Sequence, residues 1–308
     1  MNYLTILLHW VIFFLYIVPV PAMAREYDGV EQEIAQLTSK AQAYEMKGEF
    51  RAASEQYALL LERSRQTNNR RGMMYWYLGS VFINSQMRNT AQTGQMAARF
   101  LQWAREKNET TELAYANYAS GMYYRGMMQF DSSFYFIEQA VHLLKKLNDP
   151  FLEARVYGAL SYNYQKLEMA YESIEYGKKA FSLHQQMNDT AGMAKTLILM
   201  APSFNFLNDL VNWHGHCNEG LRLARLSGNT YLQMLACNNI AFPLFLMGSK
   251  IDSGHYYLNE AYRLAQENGY IFDRNDFAIS LANKYSTTGN HKKAKEYLEM
   301  VFADTARY

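Results

Sequence analysis

Cysteine and proline are scarce in this sequence, with two and five occurrences in 308 residues. Two cysteines, Cys217 and Cys237, allow at most one internal bridge. With little proline, two of the five at positions 19 and 21, and no period-two alternation between turns, the composition favours helix almost throughout. A surplus of one charge sign is also missing: 30 basic against 29 acidic residues give a net charge of +1. That balance carries no basic footprint for a nucleic acid and no basic face for a membrane surface. Chemistry-bearing motifs are absent as well. There is no Gly-rich phosphate loop, no G-x-S-x-G, no H-E-x-x-H and no carboxylate pair in a plausible pocket. The expectation is a protein that is not an enzyme and uses no cofactor.

One long apolar run is present, from Leu4 to Val18, followed by Pro19 and Pro21 and then Ala22-Met23-Ala24 before Arg25. Small residues at −3 and −1 fit a signal-peptidase site, although the n-region has no Lys or Arg. Residues 1–24 therefore read as a cleavable signal peptide and 25–308 as the mature domain. The run is shorter than the ~20 residues a span requires, which sets an uncleaved anchor second. No cysteine stands at the cleavage point, which disfavours lipidation. The expected location is periplasmic or secreted, with no membrane span after cleavage.

The remaining chain repeats. Small residues Ala41, Gly79, Gly121, Ser161, Ala201, Ala241 and Ala282 recur at spacings of 38, 42, 40, 40, 40 and 41. Each is followed by a large residue about three positions on, a break such as "KGEF" or "TGNH", and a second apolar stripe. A steady period across seven copies points to a solenoid of helical hairpins, each unable to bury both faces until its neighbour stacks on it. Leu37, Ala41, Tyr44, Gly48, Phe50, Ala53 and Tyr57 in the first copy, and Leu281, Ala282, Tyr285, Gly289 and Ala294 in the last, carry a resemblance to the tetratricopeptide repeat (TPR) family over about residues 34–303. The resemblance implies an all-α superhelix of about seven helix-turn-helix repeats, fourteen helices in all. The ~40-residue period exceeds the family's 34 and asks for longer helices or fuller connections. Stacked in this way, the copies should form an extended rod with an accessible inner lining.

"NWHGHCNEG" (212–220) places two histidines and a cysteine within four positions. On the repeat frame Trp213 and Cys217 share one helical face, pointing into the stack, while His214 and His216 diverge. No second cluster completes a metal site, and none is expected. Cys217 and Cys237 fall on helices that should be neighbours. A disulfide is conceivable, and buried free thiols are the preferred reading.

In TPR proteins the first helix of each copy (helix A) lines a concave groove, and the resemblance implies a peptide or protein ligand there. Carried over copy by copy, the lining is Met73, Trp76, Ser80 and Ile83; Tyr115, Tyr118, Met122 and Arg125; Arg155, Gly158, Tyr162 and Gln165; Lys195, Ile198, Pro202 and Asn205; and Met234, Asn238, Phe242 and Phe245. The candidate ligand-binding residues are Trp76, Tyr115, Tyr118, Met122, Arg125, Arg155, Tyr162, Lys195, Asn205, Asn238, Phe242 and Phe245. Aromatic, Met and Arg side chains are enriched at binding surfaces. The family's clamp for a chaperone's terminal carboxylate, Lys and Asn at the fifth and ninth places of one helix A, has no match in any copy. Pro202 and Pro243 should each kink or shorten their helix.

The sequence closes on "AKEYLEMVFADTARY", leaving Tyr297, Leu298, Val301 and Phe302 without a following copy. That open end offers a surface for a partner or for self-association. A long-period TPR array behind a signal peptide is similar to the sensory half of bacterial TPR-containing histidine kinases and transcriptional regulators, here without their output domain. The expected function is a non-enzymatic peptide- or protein-binding scaffold exported to the bacterial envelope, with the sensing module of a signalling system as its role. The alternative is a structural adaptor for an envelope complex.

Overall fold

The connections set the architecture. The computed structural model describes residues 22–248 and 250–305, so the expected signal segment lies outside the described residues apart from Ala22–Ala24, which open the first helix. Backbone φ is positive at Gly48, Asn68, Arg88, Asn108, Met128, Glu168, Asn188, Asn208, Gly228, Gly248, Gly269 and Gly289, one residue in almost every twenty. At most of these the following N–H returns to the carbonyl five residues back, as Asn69 does to Ser64 (2.8 Å) and Asp189 to His184 (2.9 Å). This left-handed stop satisfies the last carbonyls of one helix. The residue that closes it then caps the next. Asn69, Asp189, Asp209 and Asn229 each accept a hydrogen bond from the backbone N–H three residues on, and Asp149 caps α7 in the same way without a left-handed stop before it.

The helices so delimited are α1 (Ala22–Lys47), α2 (Phe50–Gln66), α3 (Arg70–Gln86), α4 (Thr90–Lys107), α5 (Thr110–Gly126), α6 (Phe130–Leu144), α7 (Pro150–Lys166), α8 (Ala170–Gln186), α9 (Thr190–Met200), α10 (Ser203–Phe206), α11 (Leu210–Leu226), α12 (Thr230–Leu246), α13 (Ile251–Glu267), α14 (Ile271–Thr287) and α15 (His291–Thr305). Among the described residues there is no strand. Because α9 and α10 are two parts of one interrupted helix, the array is seven A/B hairpins. Helices of 17 residues dominate, and three-residue connections accompany them. The longer period is thus spent on longer helices. Helix A starts at 70, 110, 150, 190 and 230, a register of 40 without slippage.

That register removes the 38/42 irregularity in the sequence spacing. The structural equivalent of Gly121 in the second hairpin is Val81, which is buried. Gly79 is small for a separate reason: the ring of Tyr57 occupies the place a Cβ would take. Elsewhere sizes alternate across the A/B crossing. Ile137 closes on Gly121, whose Cβ would lie 2.6 Å from it, and Met200 closes on Gly177. Such exchange of large and small residues keeps the core dense.

Pro202 ends α9 as expected. A proline cannot bond the carbonyl four residues back, and that carbonyl, of Ile198, instead accepts Nδ2 of Asn239 on α12 (2.9 Å). Pro243 behaves differently. It is buried, and α12 continues through it to Leu246 with Met247 N–H bonding the Pro243 carbonyl (2.9 Å). The expected interruption of the sixth A helix does not occur, because the ring lies within one turn of the helix end and packs in the core.

Trp213 and Cys217 point into the stack as read from sequence, and both cysteines are buried free thiols. His216 turns to Asn212 O (2.8 Å) and stacks on Phe204 at 4.6 Å, whereas His214 contacts Asn218. At the far end Tyr297 is held by Tyr285, Tyr262 and an Oη–Asn259 Oδ1 hydrogen bond of 2.6 Å, while Leu298 and Phe302 remain exposed.

The array is not an extended rod. It winds far enough for its first hairpins to meet its last. Tyr270 Oη at the start of α14 donates to the Gly48 carbonyl (2.7 Å), and Thr230 Oγ1 donates to the Lys47 carbonyl (3.3 Å). Phe50 packs edge-on against Tyr231 (5.4 Å) and tilted against Tyr270 (6.0 Å). Arg88, in the α3–α4 turn, reaches Asp276 (2.6 Å) and Asp273 (3.7 Å) on α14 and covers the Phe272 ring (5.7 Å). This seam between hairpins 1–2 and 6–7 turns the concave face into an axial interior.

Candidate functional site in the axial interior

A-helix side chains of hairpins 2 to 5 converge on the axis. Side chains from distant hairpins meet there. Lys195 Nζ (α9) lies 5.3 Å from the centre of the Phe82 ring (α3), and Arg125 (α5) covers the Tyr162 ring (α7) at 4.9 Å. Glu45 on α1 accepts Tyr57 Oη at 2.9 Å and is buried. Arg155 and Lys195 both lie within its electrostatic reach. Burial holds the Glu45 carboxyl above its usual range, opposed by Arg155, the Tyr57 hydrogen bond and Lys195. Lys195 is pushed down to about 8, by burial first and then by Arg125 and Arg155, with Glu45 and Asp189 opposing. The interior is therefore cationic and partly desolvated.

A separate cleft of about 930 Å³ is lined by Glu31, Arg70, Arg71, Glu112, Tyr115 and Asp149 among others; Arg125, Arg155 and Lys195 do not line it, and its wall residue Tyr115 lies within electrostatic reach of Arg155. Its wall includes Tyr75 and Tyr115, whose rings meet edge-on at 6.1 Å. Tyr115 Oη donates to Asp149 Oδ2 (2.8 Å), the cap of α7, which fixes the ring. A smaller hollow beside Tyr75 is lined by Ala35, Thr38 and Gln42 of α1; Thr38 is buried and its hydroxyl has no hydrogen-bond partner. Ligand pockets commonly measure ~300–1,000 Å³, so the cleft has ligand dimensions.

Among solved structures, the chain is similar to a Rap protein complexed with competence and sporulation factor, with a TM-score of 0.73 and 16% identity over 91% of this chain and 77% of that one. It is also similar to NprR in complex with its cognate peptide NprX (TM-score 0.61, 12% identity, 88% of this chain and 78% of that one). A third is aspartyl phosphate phosphatase F from Bacillus subtilis (TM-score 0.58, 16% identity, 89% and 74%). The fold is a TPR-like superhelical solenoid. No protein-family model matches the sequence. No curated protein matches it either.

On this TPR frame the residues singled out from sequence divide into three sets. Arg125, Arg155, Tyr162 and Lys195 converge on the axis and keep partial exposure. Tyr115, Tyr118 and Met122 sit on the same A-helix face but are 1%, 5% and 4% exposed, packed into the core of hairpins 2–4. The others lie apart. Trp76 packs against Tyr77 (4.5 Å) with Arg65 of α2 over it (6.0 Å). Asn205 is exposed on α10, and Asn238 is half-buried beside Asn239. Phe242 and Phe245 share Lys284 of α14 (6.0 and 4.9 Å) and form a separate patch.

Sequence reasoning missed Glu45, Thr38, Tyr75 and Phe82. A strict 40-residue register back from Tyr115, Met122 and Arg125 lands on Tyr75, Phe82 and Ser85, and one step further on Ala35, Gln42 and Glu45. The signal was present and was displaced by two residues when Gly79 was aligned with Gly121. Among the described residues no group of three His, Cys, Asp or Glu side chains is arranged to hold a metal, and no helix is long and apolar enough to cross a membrane.

Proposed function

We propose that the chain is a non-enzymatic scaffold that takes a short peptide into its axial interior by way of the 930 Å³ cleft. The observation that carries this reading is the convergence of Arg125, Arg155 and Lys195 with Phe82 and Tyr162, contributed by hairpins 2 to 5, beside a cleft of ligand size whose wall residue Tyr115 lies within electrostatic reach of Arg155. Charge anchors beside aromatic faces give both orientation and contact area in a binding site. Two proteins of similar fold are described as bound to a factor or a cognate peptide, which supports the reading.

The proposal extends to place and role. Residues 1–24 direct export to the bacterial envelope, and peptide occupancy is the input of a sensing module whose output lies on another component. Capture of peptides from the native compartment tests the first part. Wild type should retain a defined set, and the pair Arg125→Ala and Arg155→Ala should lose it while keeping a native helical spectrum. N-terminal sequencing of the mature protein tests the second, and should read from Arg25. Equal retention by wild type and the variants would refute the axial site. In that case the adaptor reading stands, in which exposed Leu298 and Met300 of α15 contact a partner.

A further inference from the structure

The axial cations are short of counter-charge. Among the described residues, Arg125, Arg155 and Lys195 make no ion pair within 4.0 Å; each faces a ring instead, Arg125 over Tyr162 (4.9 Å), Arg155 over Phe151 (4.3 Å) and Lys195 over Phe82 (5.3 Å). Two carboxyls lie within electrostatic reach of Lys195, and both are committed elsewhere. Glu45 accepts the Tyr57 hydroxyl (2.9 Å), and burial favours its neutral form. Asp189 caps α9 through Gly192 N–H (2.8 Å) and holds His184 Nδ1 (2.9 Å). Three partly buried cations from three consecutive hairpins thus share a space with at most two carboxylates, each already accepting hydrogen bonds. Burying unpaired charge is costly unless an opposite charge arrives.

We propose that Arg125, Arg155 and Lys195 together receive one carboxylate of the bound peptide, so that the chain selects acidic ligands. This rests on the peptide-binding reading above. Guanidinium groups present paired donors that match a carboxylate's two oxygens, and an ammonium adds a point charge. Because the three groups come from α5, α7 and α9, one bound carboxylate ties three hairpins together. Displacing Lys195 from Phe82 also frees an aromatic face for the neighbouring ligand side chain. The depressed Lys195 follows from the same crowding: Arg125 and Arg155 oppose its proton, and an incoming carboxylate favours it. The charged groups around it are Arg125 on α5, Arg155 on α7, Glu45 on α1 and Asp189 before α9. Retention of acidic ligands should therefore weaken as pH rises through about 8.

The carboxylate has two sources, an Asp or Glu side chain or the peptide's own C-terminus. The experiment is affinity selection of random hexapeptides by the full chain, using one pool with free and one with amidated C-termini, at pH 7.0 and 9.5. Wild type should enrich Asp- or Glu-containing peptides from both pools, or retain the free-acid pool alone. Arg125→Gln, Arg155→Gln and Lys195→Met should each reduce that enrichment tenfold or more, and pH 9.5 should reduce it in wild type but not in Lys195→Met. Circular dichroism melting of each variant separates lost binding from lost fold, and the pH arm needs no variant. Peptides retained without acidic enrichment and without a free-acid preference, or enrichment unchanged by all three substitutions, would overturn the carboxylate site while leaving peptide binding intact. No retained peptide at all overturns the peptide-binding reading itself.

Discussion

Reversing the charge at Arg88 tests how the array is closed. Arg88 bonds Asp276 at 2.6 Å and approaches Asp273 at 3.7 Å, and its side chain is 46% exposed. A half-exposed pair contributes ~0.2–1 kcal/mol. Arg88→Glu removes that and sets a third carboxylate beside two others, adding roughly 1 kcal/mol of repulsion for each at near-solvent dielectric. The total, about 2–3 kcal/mol, acts on the seam alone. Opposing it are the Tyr270 and Thr230 hydrogen bonds and the Phe50–Tyr231–Tyr270 cluster. Each hydrogen bond contributes ~0.5–1.5 kcal/mol and each ring pair a similar amount, about 2.5–7.5 kcal/mol for two hydrogen bonds and three ring pairs before the entropic cost of closure, so the substitution should weaken the seam and raise the population of an opened array without unfolding hairpins. Small-angle scattering reads this directly. A closely packed chain of this length has a radius of gyration near ~19–20 Å, and Arg88→Glu should exceed wild type at unchanged helicity. Asp276→Arg in the same chain should restore the smaller value. Identical radii for wild type and Arg88→Glu at low ionic strength would refute the seam.

Four further outcomes follow from the geometry. Met128 and Glu168 hold left-handed φ values of 57° and 62° with exposed side chains; replacing either with Gly should stabilise by roughly 0.5–1 kcal/mol in urea melts, because the ~1–2 kcal/mol Cβ penalty exceeds glycine's entropic cost. Gly79→Ala should destabilise by roughly 1–3 kcal/mol, since its Cβ meets the Tyr57 ring. Cys217 and Cys237 should resist a thiol reagent until the chain unfolds, because burial pushes both thiols up, Cys237 to about 12. Lys195 has a folded value of about 8, below its unfolded value of ~10.4. The native state then binds fewer protons than the unfolded chain between those limits, so stability should rise with pH across that window. Lys195→Met should abolish the rise and should be the more stable protein at pH 7.

The fold was legible because its determinants are local. Period, small residues at the crossings and cap residues such as Asp189 and Asn229 all act within one hairpin. Turns stopped by Arg88, Met128 and Glu168 carry no sequence mark, since these side chains do not ordinarily favour positive φ. Gly79 misled in the other direction, a glycine whose smallness serves Tyr57 and not the repeat. Pro243 followed the propensity rule in sequence and escaped it in the core. What could not be read was winding. Contacts such as Tyr270 to Gly48 join residues 222 apart, and their existence depends on the summed rotation of five hairpins. That rotation decides whether Arg125, Arg155 and Lys195 face solvent or one another, so these three were legible as lining residues, while Glu45, Tyr75 and Phe82 and the enclosure of the site were not.

Closure of the superhelix is the claim on which the axial site depends, and cross-linking measures it most directly. Lys47→Cys and Thr230→Cys introduce thiols on either side of the seam, where Thr230 Oγ1 lies 3.3 Å from the Lys47 carbonyl, while the two native thiols are buried. A short bismaleimide should convert the native double variant to an internally linked monomer, should fail to do so in urea, and should do so less in the Arg88→Glu background. Single cysteines that each react with maleimide, in a double variant that yields no internal link under native conditions, would contradict a closed array.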